Sequence, residues 1–82
     1  MWFVYILETK NGLLYTGITT DLERRMKVHE SGNGARFTRI FGFKRLVYSE
    51  EASTQPEAMQ REREIKKLPR SKKIGLIKRE NA

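Results

Sequence analysis

The apolar residues of this 82-residue chain cluster in short runs near its start and middle and fall into a helical rhythm toward its end. Residues 3–8 are rich in aromatic and β-branched side chains, which predicts a strand. Thr9-Lys10-Asn11-Gly12 predicts a tight turn, because Asn-Gly accepts the positive φ angles that hairpins need. Residues 13–18 then form the returning strand. Side chains alternate along a strand, so Phe3, Tyr5 and Leu7 share a face, as do Leu13, Tyr15 and Gly17. A suitable register puts Tyr5 and Tyr15 on neighbouring strands and on the same side of the sheet. Gly17, with no side chain, lets backbone or ligand approach closely there.

Thr20-Asp21-Leu22-Glu23 reads as a capping box that opens a helix reaching about Glu30. Leu22, Met26 and His29 form one stripe on it, with Arg25 beside that stripe. Residues 31–42 hold three glycines and predict a loop carrying the basic-aromatic run Arg36-Phe37-Thr38-Arg39. Residues 43–49 read as a third strand, with Leu46 and Tyr48 facing opposite to Val47. Thr54-Gln55-Pro56-Glu57 is a second capping box, with proline in the first helical turn where its missing N–H is harmless. That helix runs to Lys67 or Leu68, before Pro69, and its stripe is Ala58, Glu62 and Ile65. A short basic helix over residues 71–80 completes the order β-β-α-β-α-α.

A chain of this length makes one domain, residues 1–82, with a small core in which buried polar groups are costly. There is no cysteine and only one histidine, which excludes disulfides, thiolate metal sites and multi-histidine zinc sites. The apolar opening, Met1 to Leu7, is far too short to span a bilayer and has no basic segment before it. It predicts a buried strand in a cytoplasmic protein with no membrane partner.

Charge narrows the partner class. The formal net charge is +7, and residues 61–82 hold nine Lys/Arg against three Glu. Such asymmetry attracts polyanions, and nucleic acid is the usual partner of a basic domain of this kind. The plainer alternative is a solvated lysine-rich tail.

Two phenols, a guanidinium and a carboxylate stand out as candidate chemistry: Tyr5, Tyr15, Arg25 and Glu62. Glu62 interrupts an apolar stripe, where a carboxylate must be paired, hydrogen-bonded or metal-bound. Together these groups point to phosphodiester cleavage. Each also has a plain reading: sheet tyrosines with wet hydroxyls, a surface arginine, and a carboxylate at the stripe margin paired with a neighbouring base.

The same residues resemble the GIY-YIG nuclease superfamily, particularly its small bacterial, UPF0213-like members. The second half of the motif survives as Tyr15-Thr16-Gly17, and the first half is reduced to Phe3-Val4-Tyr5. Arg25 follows the second tyrosine by ten positions, His29 comes four later, and Glu62 matches the metal-binding glutamate. The similarity spans nearly the whole chain, including residues 34–39. Phe3 replaces the opening glycine, and Ile18 stands where some DNA-repair members carry a lysine.

The resemblance implies an α+β fold, a small three-stranded antiparallel sheet flanked by helices, with the site on one sheet face. It implies hydrolysis of DNA with one divalent cation, Mg²⁺ or Mn²⁺, held by Glu62. Arg25 would offset charge developing on the phosphoryl oxygens. Tyr15 would orient the attacking water or accept its proton, which for a phenol of ordinary pKa about 10 requires nearby cationic charge. Tyr5 would position water or phosphate. His29, with an ordinary pKa of about 6.5, is a second candidate base or simply a helix-end residue.

Arg36 and Arg39 flank Phe37 in a combination suited to gripping phosphate and stacking on a base, although Phe37 also suits a loop anchor. Lys66, Lys67, Arg70, Lys72 and Lys73 would contact phosphates without regard to sequence. No recognition helix or zinc finger is visible, so little sequence preference is expected, with structure-selective action in DNA repair or recombination as the finer reading. The rival reading is a non-catalytic nucleic-acid-binding module that uses the same basic surface.

Overall fold

The structure, a computed structural model, describes residues 1–80, the last of them by its backbone. The expected domain range of 1–82 therefore includes two residues outside those described. β1 (Trp2–Thr9) and β2 (Leu14–Thr19) form the hairpin that the sequence predicts. Thr9 closes it. Its hydroxyl accepts from the Leu13 amide at 2.9 Å and donates to Asn11 Oδ1 at 2.6 Å. Gly12 takes a φ of 82° and donates its amide to the Thr9 carbonyl. A side chain at this position would be strained.

β3 (Phe43–Ala52) pairs with the other edge of β1, giving an antiparallel sheet of order β2-β1-β3. The central position of β1 explains its composition, since Val4 to Leu7 are all buried. Val4 and Ile6 point to one face and pack with Tyr48, Ala58 and Ile65. Burying each such aliphatic side chain contributes about 1.5–3 kcal/mol. Tyr5 and Leu7 point to the other face, where the site lies.

One expectation about β3 is corrected. Ile6 pairs with Tyr48, but Leu7 pairs with Leu46, so Val47 is an extra residue in a bulge. Directly paired residues share a face. Tyr48 therefore joins the Ile6 side, Leu46 lies on the Leu7 side, and the simple alternation of the sequence breaks at Val47.

The first helix, α1 (Leu22–Glu30), is capped one residue later than expected. The Asp21 carboxylate accepts from the Arg24 amide at 3.1 Å, while the Thr19 hydroxyl holds the Asp21 amide at 3.1 Å. With its own amide held, Asp21 takes the cap that Thr20 could also have supplied. A second correction concerns residues 31–42, where the expected loop contains a six-residue helix, α2 (Arg36–Phe41). The glycines that suggested a loop stand outside it, and Gly42 ends it with a φ of 79°.

α3 (Gln55–Lys67) begins as predicted: the Thr54 hydroxyl accepts from the Glu57 amide at 3.3 Å, with Pro56 in the first turn. Arg61 reaches from α3 to β3, donating from Nε to Glu50, whose other oxygen accepts from the Tyr48 hydroxyl. Burial and that carboxylate push the Tyr48 phenol up to about 12. α4 (Arg70–Glu80) rests Leu76 and Ile77 on the core, and its Arg70 donates to the Gly12 carbonyl at 2.9 Å. The α3 and α4 layer thus covers the Val4 and Ile6 face, while α1 and α2 supply the groups that meet Tyr5 on the other.

Candidate active site

Register decides where the two tyrosines meet. Tyr5 pairs with Gly17, and Tyr15 pairs with Leu7, so the phenols are diagonal neighbours on one face with ring centroids 6.5 Å apart. Gly17 is what admits Tyr5. A Cβ at Gly17 would fall 2.5 Å from the phenol oxygen and 2.7 Å from its ring carbon. The backbone of β2 thus lies flat against the phenol.

Tyr5 and His29 are each only 1% exposed. The Tyr5 hydroxyl lies 2.8 Å from His29 Nε2, and Arg25 Nε donates to the same oxygen at 3.4 Å. His29 Nδ1 lies 2.7 Å from the hydroxyl of Thr38, which donates to the Ala35 carbonyl at 2.9 Å. Helical spacing brings this about, because Arg25 and His29 are one turn apart on α1 and both face the sheet. The imidazole also packs edge-on against Tyr15, with centroids 5.7 Å apart, and stacks on Phe43.

These surroundings set the protonation states. Burial pushes the Tyr5 phenol up, with the nearby Tyr15 and the Glu62 charge in the same direction and Arg25 opposing. Burial, helped by the Arg25 charge, lowers His29 to about 4. Both side chains are therefore neutral near pH 7. The enclosed His29 meets Tyr5 and Thr38 rather than solvent. Tyr5 likewise has its hydroxyl engaged inside the protein.

Tyr15 remains half-buried, with Phe37 stacked on it at 5.6 Å and 27°. Phe37 in turn leans on Phe41, at 4.9 Å. The Phe37 ring covers Tyr15 from α2 and is itself half-buried. Arg36 and Arg39 are exposed one helical turn apart on the same short helix.

Arg25 connects this interior to a surface cavity of about 270 Å³, lined by Thr19, Thr20, Asp21, Arg24, Arg25 and Val28. Glu62 lies between the buried Ala58 and Ile65 on α3, as the stripe predicts, with its side chain 21% exposed and 3.3 Å from Lys66 Nζ. That lysine is exposed, so the pairing is weak. Lys67 and Lys72 are exposed and Lys73 is half-buried; Lys72 and Lys73 are on α4, in the layer away from Tyr5.

Whether these residues suit a cation depends on the donor set. Among the described residues no three His, Asp or Glu side chains come together. A lone carboxylate fits Mg²⁺, which keeps several waters and shares its remaining positions with substrate phosphate. It does not fit an all-protein cage.

Thr38 and Gly34 are the site residues that sequence reasoning missed. The run Arg36-Phe37-Thr38-Arg39 is conspicuous for its charged and aromatic members, and nothing in the spacing marks the threonine between them. A Cβ at Gly34 would overlap His29 Nδ1, so the turn before α2 presses on the imidazole.

No helix among the described residues is long and apolar enough to cross a membrane. A UPF0213 protein of Staphylococcus saprophyticus is 45% identical over 75 residues, covering 92% of each chain. One from Clostridium perfringens is 49% identical over 77 residues, 94% of this chain and 83% of that one. The solution NMR structure of a UPF0213 protein from Bacillus halodurans superposes with a TM-score of 0.59 at 50% identity, covering 95% of this chain and 84% of that one. It supports the α+β fold of three antiparallel strands flanked by helices. With the GIY-YIG catalytic domain model matching residues 1–75, the chain belongs to the GIY-YIG family of nucleases.

Proposed function

We propose that this protein is a metal-dependent endonuclease that hydrolyses phosphodiester bonds in DNA with little sequence preference, selecting its substrate by structure in repair or recombination. The observation that carries the reading is Arg25, whose Nε is tied to a buried phenol while its side chain lines a surface cavity. A guanidinium held in this way is pre-organised to meet phosphate, and stabilisation by preset charge is the largest single contribution in many enzymes.

Glu62 would hold one Mg²⁺ (or Mn²⁺) together with the substrate phosphate, and the bound ion would supply Lewis-acid stabilisation of the leaving oxygen. Glu62 is close enough to the site for its charge to act on Tyr5. Tyr15, the more exposed phenol, orients the attacking water or takes its proton. Tyr5, with its hydroxyl turned inward, positions Arg25 instead of touching water. His29 holds Tyr5. Arg36, Arg39, Lys66, Lys67, Arg70, Lys72 and Lys73 supply phosphate contacts, with those on α2 nearest Tyr15 through Phe37.

The test is Glu62→Gln, which keeps the shape of the side chain but weakens its hold on a cation. Cleavage lost with DNA affinity retained supports the reading, whereas unchanged cleavage overturns the placement of the metal.

A further inference from the structure

We infer that Thr38 is a positioning residue: held by the turn at Gly34-Ala35, it fixes the tautomer of His29 and through Tyr5 sets the aim of Arg25. The catalytic part of this inference rests on the nuclease reading above.

Each hydrogen bond in this line has a direction that its neighbour dictates. The Thr38 hydroxyl donates to the Ala35 carbonyl at 2.9 Å, and that carbonyl also accepts from the Arg39 amide at 3.0 Å. The lone pairs of Thr38 Oγ1 are then what His29 Nδ1 meets at 2.7 Å, which requires the proton on Nδ1. A neutral imidazole has one N–H, so Nε2 carries a bare lone pair and accepts the Tyr5 phenol proton at 2.8 Å. With its proton directed inward, the phenol oxygen offers its lone pairs to Arg25 Nε–H.

The opposite tautomer fails at the Tyr5 end and loses a bond at the other. A bare Nδ1 would draw the Thr38 proton off the Ala35 carbonyl, which would keep only the Arg39 amide at 3.0 Å. Nε2–H would donate to the phenol, which would then have to send its proton toward the Arg25 guanidinium, a group with no acceptor. The imidazolium fails at the Tyr5 end for the same reason. One polarity satisfies all four contacts: Arg25 to Tyr5, Tyr5 to His29, His29 to Thr38, Thr38 to Ala35. Gly34 belongs to the device, because any side chain there would collide with Nδ1 and push the ring off the turn.

Nitrogen-15 NMR of the imidazole reads the tautomer in the resting protein, without substrate or metal. The expected spectrum shows His29 protonated at Nδ1 and bare at Nε2. Thr38→Val removes the acceptor while nearly keeping the shape, and should shift the proton toward Nε2. It should also lower kcat for DNA cleavage by on the order of tenfold or more, with KM little changed, and Thr38→Ser should restore both readings. A wild-type imidazole protonated at Nε2 overturns the inference even if Thr38→Val fails to fold. So does Thr38→Val with an unchanged tautomer and unchanged kcat. The expected spectrum in a protein that cuts no DNA would overturn the catalytic part together with the nuclease reading, and would leave the assignment of His29 standing.

Discussion

The Tyr5 hydroxyl lies 2.8 Å from Nε2 of His29, and the two side chains bury each other in the face of the sheet covered by α1 and α2. The bond joins the centre of the sheet to the helix that carries Arg25. Tyr5→Phe keeps the ring against Gly17 but leaves His29 Nε2 without a donor and Arg25 without its anchor. A buried polar group left unpaired costs about 1–3 kcal/mol. The unfolding free energy in urea is expected to fall by that amount, together with kcat. A variant as stable and as active as wild type would show that the bond contributes nothing.

The lowered pKa of His29, about 4 against an ordinary 6.5, predicts how stability varies with acidity. Between those values the unfolded chain binds more protons than the folded one, so the unfolding free energy rises with pH. This contribution is complete above about pH 6.5 and is lost as pH falls toward about 4, at a limit of about 1.4 kcal/mol per pH unit. His29→Gln should flatten the profile relative to wild type, a comparison that cancels the carboxylates common to both. An NMR titration in which the imidazole protonates near pH 6.5 would contradict the enclosed, neutral side chain.

Two glycines should respond in opposite directions to alanine. A methyl at Gly17 would overlap the Tyr5 phenol, and overpacking of this kind costs about 1–3 kcal/mol. Gly75 is exposed within α4 and a methyl there meets nothing within 4 Å, so Gly75→Ala should stabilise by about 0.5–1 kcal/mol. Thermal unfolding of both variants checks the pair. Equal effects would mean that Gly17 is not held against Tyr5.

The two layers of helices make a prediction about salt. Arg36 and Arg39 stand on the helix whose Phe37 covers Tyr15, whereas Lys72 and Lys73 belong to the layer on the far side of the sheet. Replacing both arginines by alanine should reduce the log-log salt slope of DNA binding by about one unit for each phosphate that is no longer neutralised. The same exchange at Lys72 and Lys73 should move it less. The reverse order would place the substrate along α4 instead.

The sequence carries the local elements well because each has a local signal: Asn-Gly for the hairpin, Thr54 with Glu57 and Pro56 for the start of α3, Pro69 for its end. The bulge at Val47 escaped because it depends on the register against β1, which no nearby residue announces. α2 was hidden by glycines that flank the helix and never enter it. At the site, Tyr5, Tyr15, Arg25, His29 and Glu62 were legible as residue types at characteristic spacings. What they do to one another was not, because that depends on which of them the fold buries and which partners it sets against them. Tyr5 and His29 turned inward, Phe37 lay over Tyr15, and Thr38, a neutral hydroxyl between two arginines, became the far end of the line.

The most direct measurement is cleavage of labelled single-stranded, duplex, flap and branched DNA in Mg²⁺, Mn²⁺ or EDTA, with Arg25→Ala beside the wild type. The expected result is cutting that needs the metal, differs among the DNA structures and is lost in the variant. Binding to every substrate with no cutting in either metal would contradict the nuclease and leave Arg25, held by Tyr5, as part of a phosphate-binding surface.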